Sequence, residues 1–224
     1  ADKHAQAERE KTRLPLAAAR PNEGKLDWSA YRPTEPSFTG VRQFDDWDLA
    51  ELARYIDWTP FFQTWELRGR YPQILEDERQ GEAARALFDD AREMLDKIVS
   101  EKWFHPRAAV GFWPAGRVGD DVRLFEDAAR TKHLATFHGI RQQRPKRDGK
   151  PNISLCDWFA PLEDGPPDWI GGFVVTAGPE EAAISKRYEQ ANDDYGSIMV
   201  KALADRIAEA FAERMHAKVR RELW

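Results

Sequence analysis

Carboxylates, rather than nucleophiles or metal ligands, are the side chains whose spacing in this sequence suggests chemistry. Lys201, Asp205, Glu209 and Glu213 recur at every fourth position, which on a helix turning about 100° per residue forms one ridge. That ridge reads either as a solvated face or as a functional surface. Asp57 is the other acid of interest, since it falls between two stretches of helical pattern. The histidines His4, His105, His133, His138 and His216 show no HxH, HExxH or His/Cys spacing, so no metal is expected. His133 and His138 would face opposite sides of one strand, and no catalytic residue is assigned. Cys156 lacks a CxxC or dyad context and reads as a buried packing thiol. GxGxxG, GxxxxGK[ST] and GxSxG are all missing, which removes the common nucleotide and hydrolase signatures. Arg141, Arg144, Lys146, Arg147 and Lys150 surround a single acid, Asp148. This basic run is a solvated hairpin tip or a docking patch for an acidic partner.

The elements that must position these groups begin with the last one. From Asp194 to Leu223, Met199, Leu203, Ile207, Phe211, Met215, Val219 and Leu223 form an apolar ridge, widened by Val200, Ala204 and Ala208. The acidic ridge lies roughly 200° around the same helix, pointing away from that stripe. Asp193 and Asp194 suit its N-terminal dipole. Upstream, Asp45 and Asp46 are candidate caps for a helix containing Leu49, Leu52, Ala53 and Ile56 that ends near Asp57. Thr59 then reads as the N-cap, and Pro60 as the first residue, of a second helix stopped by Gly69. A third runs from Glu82 to Ser100, and another from Glu180 to Gln190. Between them lie β-like runs at 108–113, 118–125, 133–140, 153–159 and 169–176, joined by short turn-rich loops suited to antiparallel hairpins. The fold expected is α+β: a mostly antiparallel twisted sheet with flanking helices and one long C-terminal helix.

The 224 residues and 42% hydrophobic content allow a substantial core. A net charge of -5 gives no general attraction to nucleic acid, and no apolar run is long enough to span a bilayer, so neither partner is expected. One cysteine and a polar start without a signal-type apolar stretch fit the cytoplasm. Nine tryptophans spread from Trp28 to Trp224 read as core and rim packing. DxHxxG, the signature of a module that ligates cobalamin through histidine, is absent.

Several segments carry a family resemblance: Tyr55-Ile-Asp-Trp-Thr-Pro-Phe-Phe62, Val118-Gly-Asp-Asp121, Arg141-Gln-Gln143, Tyr195 through Val200, Lys201-Ala-Leu-Ala-Asp-Arg206 and Ala208-Glu-Ala-Phe-Ala-Glu213. Together they resemble the activation (reactivation) domain of cobalamin-dependent methionine synthase, a methyltransferase of methionine biosynthesis. The resemblance covers about 26–224, and residues 1–25 look like the inter-domain linker after the cobalamin-binding domain. It implies binding of S-adenosylmethionine, the methyl donor for reductive reactivation of cobalamin held by another domain of the parent enzyme. It also implies two partners, the cobalamin-binding domain and flavodoxin or an equivalent reductase. Asp57 matches the acid that binds the amino group of S-adenosylmethionine, and Glu209 matches an acid near the site. A carboxylate at a helix joint is a sensible partner for an ammonium or sulfonium cation. The family pattern continues with an Arg-Pro-Ala-Pro-Gly-Tyr stretch that this sequence lacks, so the domain is expected to be incomplete at its C-terminus. The alternative reading is a docking or structural piece that no longer binds S-adenosylmethionine.

Overall fold

Three aspartates, Asp48, Asp57 and Asp193, cap helix starts by accepting from Ala50 N, Thr59 N and Gly196 N. The computed structural model describes residues 13–224. Its helices are α1 (Leu16–Ala19), α2 (Leu49–Ala53), α3 (Trp58–Thr64), α4 (Gly81–Ser100), α5 (Glu181–Gln190) and α6 (Asp194–Lys218), the last prolonged by a π-helical turn, Val219–Leu223. The strands are β1 (Gly40–Phe44), β2 (Arg107–Val118), β3 (Asp121–Phe125), β4 (His133–His138) and β5 (Asp168–Thr176). They form one five-stranded sheet of order β1-β2-β3-β4, with β5 also paired to β2. The ladders β2/β3 and β3/β4 are antiparallel, with Val122 opposite Phe137 and Arg123 opposite Gly116. The α+β fold expected from the sequence is the fold observed.

The chain divides into two compact units, each made of two separated segments: 1–40 with 112–171, and 41–111 with 172–224. In the first, Ala115, Val122, Leu124 and Cys156 form a buried cluster against Trp113, Phe159 and Ile170. A cluster of charged groups lies in the same unit. Arg141 donates through Nη2 to Asp157 Oδ1 at 2.6 Å and to Asp120 Oδ1 at 2.7 Å, and through Nη1 to Asn152 O at 2.7 Å. Arg20 reaches Asp120 at 2.9 Å and Arg117 reaches Glu23 at 3.0 Å. The described part of the segment read as a linker is therefore bonded to this unit, as it also is through Asn152 N to Asn22 O at 2.7 Å.

The second unit is built on α6. Met199, Val200, Leu203, Ile207, Phe211 and Met215 are all buried, as their four-residue spacing requires, and Lys201, Asp205, Glu209 and Glu213 are exposed. Helix α4 faces the core with Ala84, Leu87, Ala91, Leu95 and Ile98. Helix α5 packs on α6 at a place where only glycine fits, because a Cβ on Gly196 would lie 2.4 Å from the Tyr188 ring. Tyr195 O–H donates to Asp90 at 2.7 Å, fixing the start of α6 to α4, and burial with that bond pushes its pKa up to about 12.

Several local expectations are corrected. Residues 153–159 are not a strand: Leu155–Trp158 form a 3-10 turn under a capping box of Ser154 and Asp157, a local side-chain bond pattern that outcompetes the β-like composition. The stretch Pro114-Ala-Gly116, expected as a turn, lies inside β2, and the hairpin turns instead at Gly119, where φ is +62°. Strand β1 was hidden in the Pro-rich stretch before Asp45. The cap of α2 is Asp48, whose side chain accepts from Ala50 N at 3.0 Å, while Asp46 sits at φ 51° and cannot serve.

Candidate functional site

Asp57 is itself the N-cap of α3. Its Oδ1 accepts from Thr59 N at 2.9 Å with the backbone extended at φ -82° and ψ 114°. The expected cap, Thr59, is committed elsewhere, since its hydroxyl accepts from Tyr71 N at 3.2 Å. Pro60 then occupies the first turn of α3, where a missing N–H leaves no bond unmade. The Asp57 side chain is exposed and forms no ion pair among the described residues. One carboxylate oxygen thus holds the helix start and the other is available.

Two contacts bracket this joint along α6. On one side, Glu51 of α2 pairs with Arg214, whose guanidinium lies 5.3 Å from the Trp47 ring centre, and Trp47 lies 5.1 Å from Phe211. On the other, Trp65 at the end of α3 lies 5.0 Å from Tyr195. Helices α2 and α3 both pack on α6, the helix that carries Asp205, Arg206 and Glu209. Asp57 and Glu209 belong to the same unit, and Glu209 is likewise exposed and unpaired among the described residues. The arrangement offers exposed carboxylates to a cation.

The basic run divides on folding. Arg144, Lys146, Arg147 and Lys150 are exposed in the segment after β4, whereas Arg141 has a side chain with 0% exposure inside the charged cluster. Arg141 is accordingly removed from any docking patch: hydrogen bonds to Asp157 and Asp120 outweigh its burial and raise its pKa further. Asp157 is subject to burial that opposes ionisation, yet bonds from Arg141, Ser154 N and Gly24 N hold its pKa below the usual carboxylate value. Cys156 is buried, and its Sγ lies 2.7 Å from Asp120 O. Among the described residues no group of His, Cys, Asp and Glu is placed to hold a metal ion, and no helix is long and apolar enough to cross a membrane. The cavity of about 650 Å³ lined by Trp103, Glu180, Ile184, Arg187 and Tyr188 contains neither Asp57 nor Glu209.

Comparison with known proteins adds to this geometry. Residues 48–224 match the family model described as vitamin B12 dependent methionine synthase, activation domain. A crystal structure of the MetH reactivation domain bound to AdoHcy is similar to this chain at 48% sequence identity and a TM-score of 0.91. That similarity covers 96% of this chain and 65% of the other, so this chain spans less than two thirds of the length of the relative it matches. The family match includes the α2–α3 joint and α6, where the two exposed acids lie. The chain belongs to the activation-domain family of vitamin B12-dependent methionine synthases.

Proposed function

We propose that this chain binds S-adenosylmethionine as part of the reactivation machinery of a cobalamin-dependent methionine synthase, a methyltransferase of methionine biosynthesis. The observation that carries the proposal is the exposed, unpaired Asp57 carboxylate between two helices that both pack on the helix bearing Glu209. The likeness to a reactivation domain bound to AdoHcy supports the same ligand class. Asp57 takes the ammonium of the amino-acid end in a charge-assisted bond, and Glu209 adds negative potential on the facing helix. Cobalamin, held by a separate domain, supplies the methyl acceptor. The residues of this chain hold and orient the donor and perform no bond-breaking step of their own.

The partners that follow are the cobalamin-binding domain and flavodoxin or an equivalent reductase, in the cytoplasm. The exposed Arg144, Lys146, Arg147 and Lys150 support the second, because association with an acidic electron carrier is steered by such charge. A docking piece without ligand binding is the other reading, and one titration separates the two. With S-adenosylhomocysteine added to the labelled protein, amide resonances of 57–59 and 205–209 shift together, and Asp57→Asn weakens the response by roughly ten- to a hundredfold, the worth of one charge-assisted bond. Resonances that stay in place at millimolar ligand would leave only the docking role.

A further inference from the structure

After β4 the chain runs out along 139–143, turns through the basic tip, and returns antiparallel along 152–156. Gln142 N donates to Ile153 O at 3.1 Å, and a Cβ on Gly139 would lie 2.2 Å from Cys156 Sγ. Both approaches keep one register, which sets Ile140 opposite Leu155. Arg141 locks the two arms by donating to Asn152 O at 2.7 Å and to Asp157 at 2.6 Å, while Asn152 Nδ2 donates to the carbonyls of Gln142 and Arg144 at 2.8 Å each. Side chains on extended segments alternate between two faces. Arg141, Asn152, Ser154 and Cys156 accordingly point inward and are buried, and Ile140, Gln142, Ile153 and Leu155 point outward and are exposed.

The outward face is apolar. Ile140 is 89% exposed, Leu155 82%, and Trp158 61%; Leu155 and Trp158 stand three residues apart in a 3-10 turn, which puts them on one side of it. One such residue is ordinary on a surface, but a group of them held out by a hydrogen-bonded frame marks a contact surface. The frame cannot fold these side chains inward, because the Arg141 cluster already fills its inner side. The tip adds charge: Arg144, Lys146, Arg147 and Lys150 are exposed around Asp148, and none of the four forms an ion pair among the described residues. An apolar centre beside a rim of one sign complements a partner whose rim has the other sign. Since the whole chain carries a net charge of -5, the attraction is local to this hairpin.

We propose that this hairpin is a docking surface for an acidic protein: the basic tip steers the partner in, and Ile140, Leu155 and Trp158 form the contact that keeps it bound. This rests on the acidic electron carrier read above as a partner of the basic tip, and it adds the residues that hold that carrier. The two parts act on different rates. Charge at the rim sets association and its salt dependence, whereas the desolvated apolar contact sets the residence time.

The experiment measures association and dissociation rates of flavodoxin on the wild-type chain and on its variants. Ile140→Ser combined with Leu155→Ser raises the dissociation rate by about tenfold or more and leaves the association rate and its salt dependence unchanged. Leu155→Gln alone gives part of that effect and stands in if the double variant melts early. Val174→Ser, at a 71% exposed position on β5, changes neither rate. A dissociation rate indifferent to Ile140 and Leu155 overturns the proposal while keeping the partner, and flavodoxin that fails to bind the wild-type chain overturns both. Binding to phosphatidylserine vesicles in place of flavodoxin, weakened by Leu155→Gln, overturns it in favour of a membrane surface.

Discussion

The cap role of Asp57 and the ligand role proposed for it are confounded by a single substitution and separated by a pair. As the N-cap of α3 it satisfies an orphan amide, and replacing such a cap by Ala costs about 0.5 to 2 kcal/mol of stability. Asn caps nearly as well as Asp but carries no charge. Asp57→Ala is therefore expected to lower both the melting temperature and ligand affinity, and Asp57→Asn to lower affinity alone. Calorimetry and thermal melting on both variants check this, and a stability loss in the Asn variant equal to that in the Ala variant would falsify the division of labour. At this scale the sequence was informative about residue identity and less so about role. The joint between two helices was legible, but the cap was placed on Thr59, because nothing local says that its hydroxyl is taken by Tyr71 N twelve residues on.

The long helix was the most legible element, and the reason is its period. Each ridge residue from Met199 to Met215 is buried to within 1% exposure, and the acids two positions around are exposed. Phe211→Ala is expected to cost ~3 to 5 kcal/mol, since it empties a fully buried aromatic site beside Trp47. Glu209→Ala, on the solvent side, is expected to stay within about 0.5 kcal/mol of wild type. Denaturant unfolding of both variants decides whether the two ridges are as separate as their exposure indicates. The sheet was harder to read. Apolar runs of strand length do not distinguish a strand from a tightly capped turn, which is why 153–159 misled, and β2 crosses Pro114 without breaking. Arg141 shows the same limit for charge, since spacing alone placed it with the exposed arginines and long-range pairing with Asp120 and Asp157 buried it.

At the scale of the molecule, charge separates surface from interior. Reversing Arg144 and Arg147 to Glu is expected to slow association with flavodoxin at low ionic strength and to change little at high salt, where such steering is screened. Stopped-flow rates across a salt series test it, and identical rates at low salt would remove the patch. The buried cluster responds to pH instead. Asp120 and Asp157 have pKa values held below the ordinary carboxylate value, burial opposing and the arginine bonds prevailing. Groups with depressed folded pKa stabilise fully above the unfolded value of about 3.9, and that contribution is lost as pH falls through the folded one. Unfolding free energy is thus expected to be flat in this respect from pH 7 to 5 and to drop below about pH 4. Arg141→Met removes bonds that hold both pKa values down and leaves Asp157 with Arg117 and Asp120 with Arg20, so it is expected to lower stability at neutral pH and to shrink the drop below about pH 4.

The interleaving of the two units also has a consequence during synthesis. Because 41–111 is completed only by 172–224, the apolar stripe of α4 leaves the ribosome well before α6 exists to cover it. At about 5 to 20 residues per second, roughly a hundred residues of delay amount to several seconds with that face bare. The intervening 112–171 segment finds its own complement, 1–40, already made. The unit of 1–40 and 112–171 can therefore close before that of 41–111 and 172–224, and the α4 stripe is the surface a holding chaperone would meet.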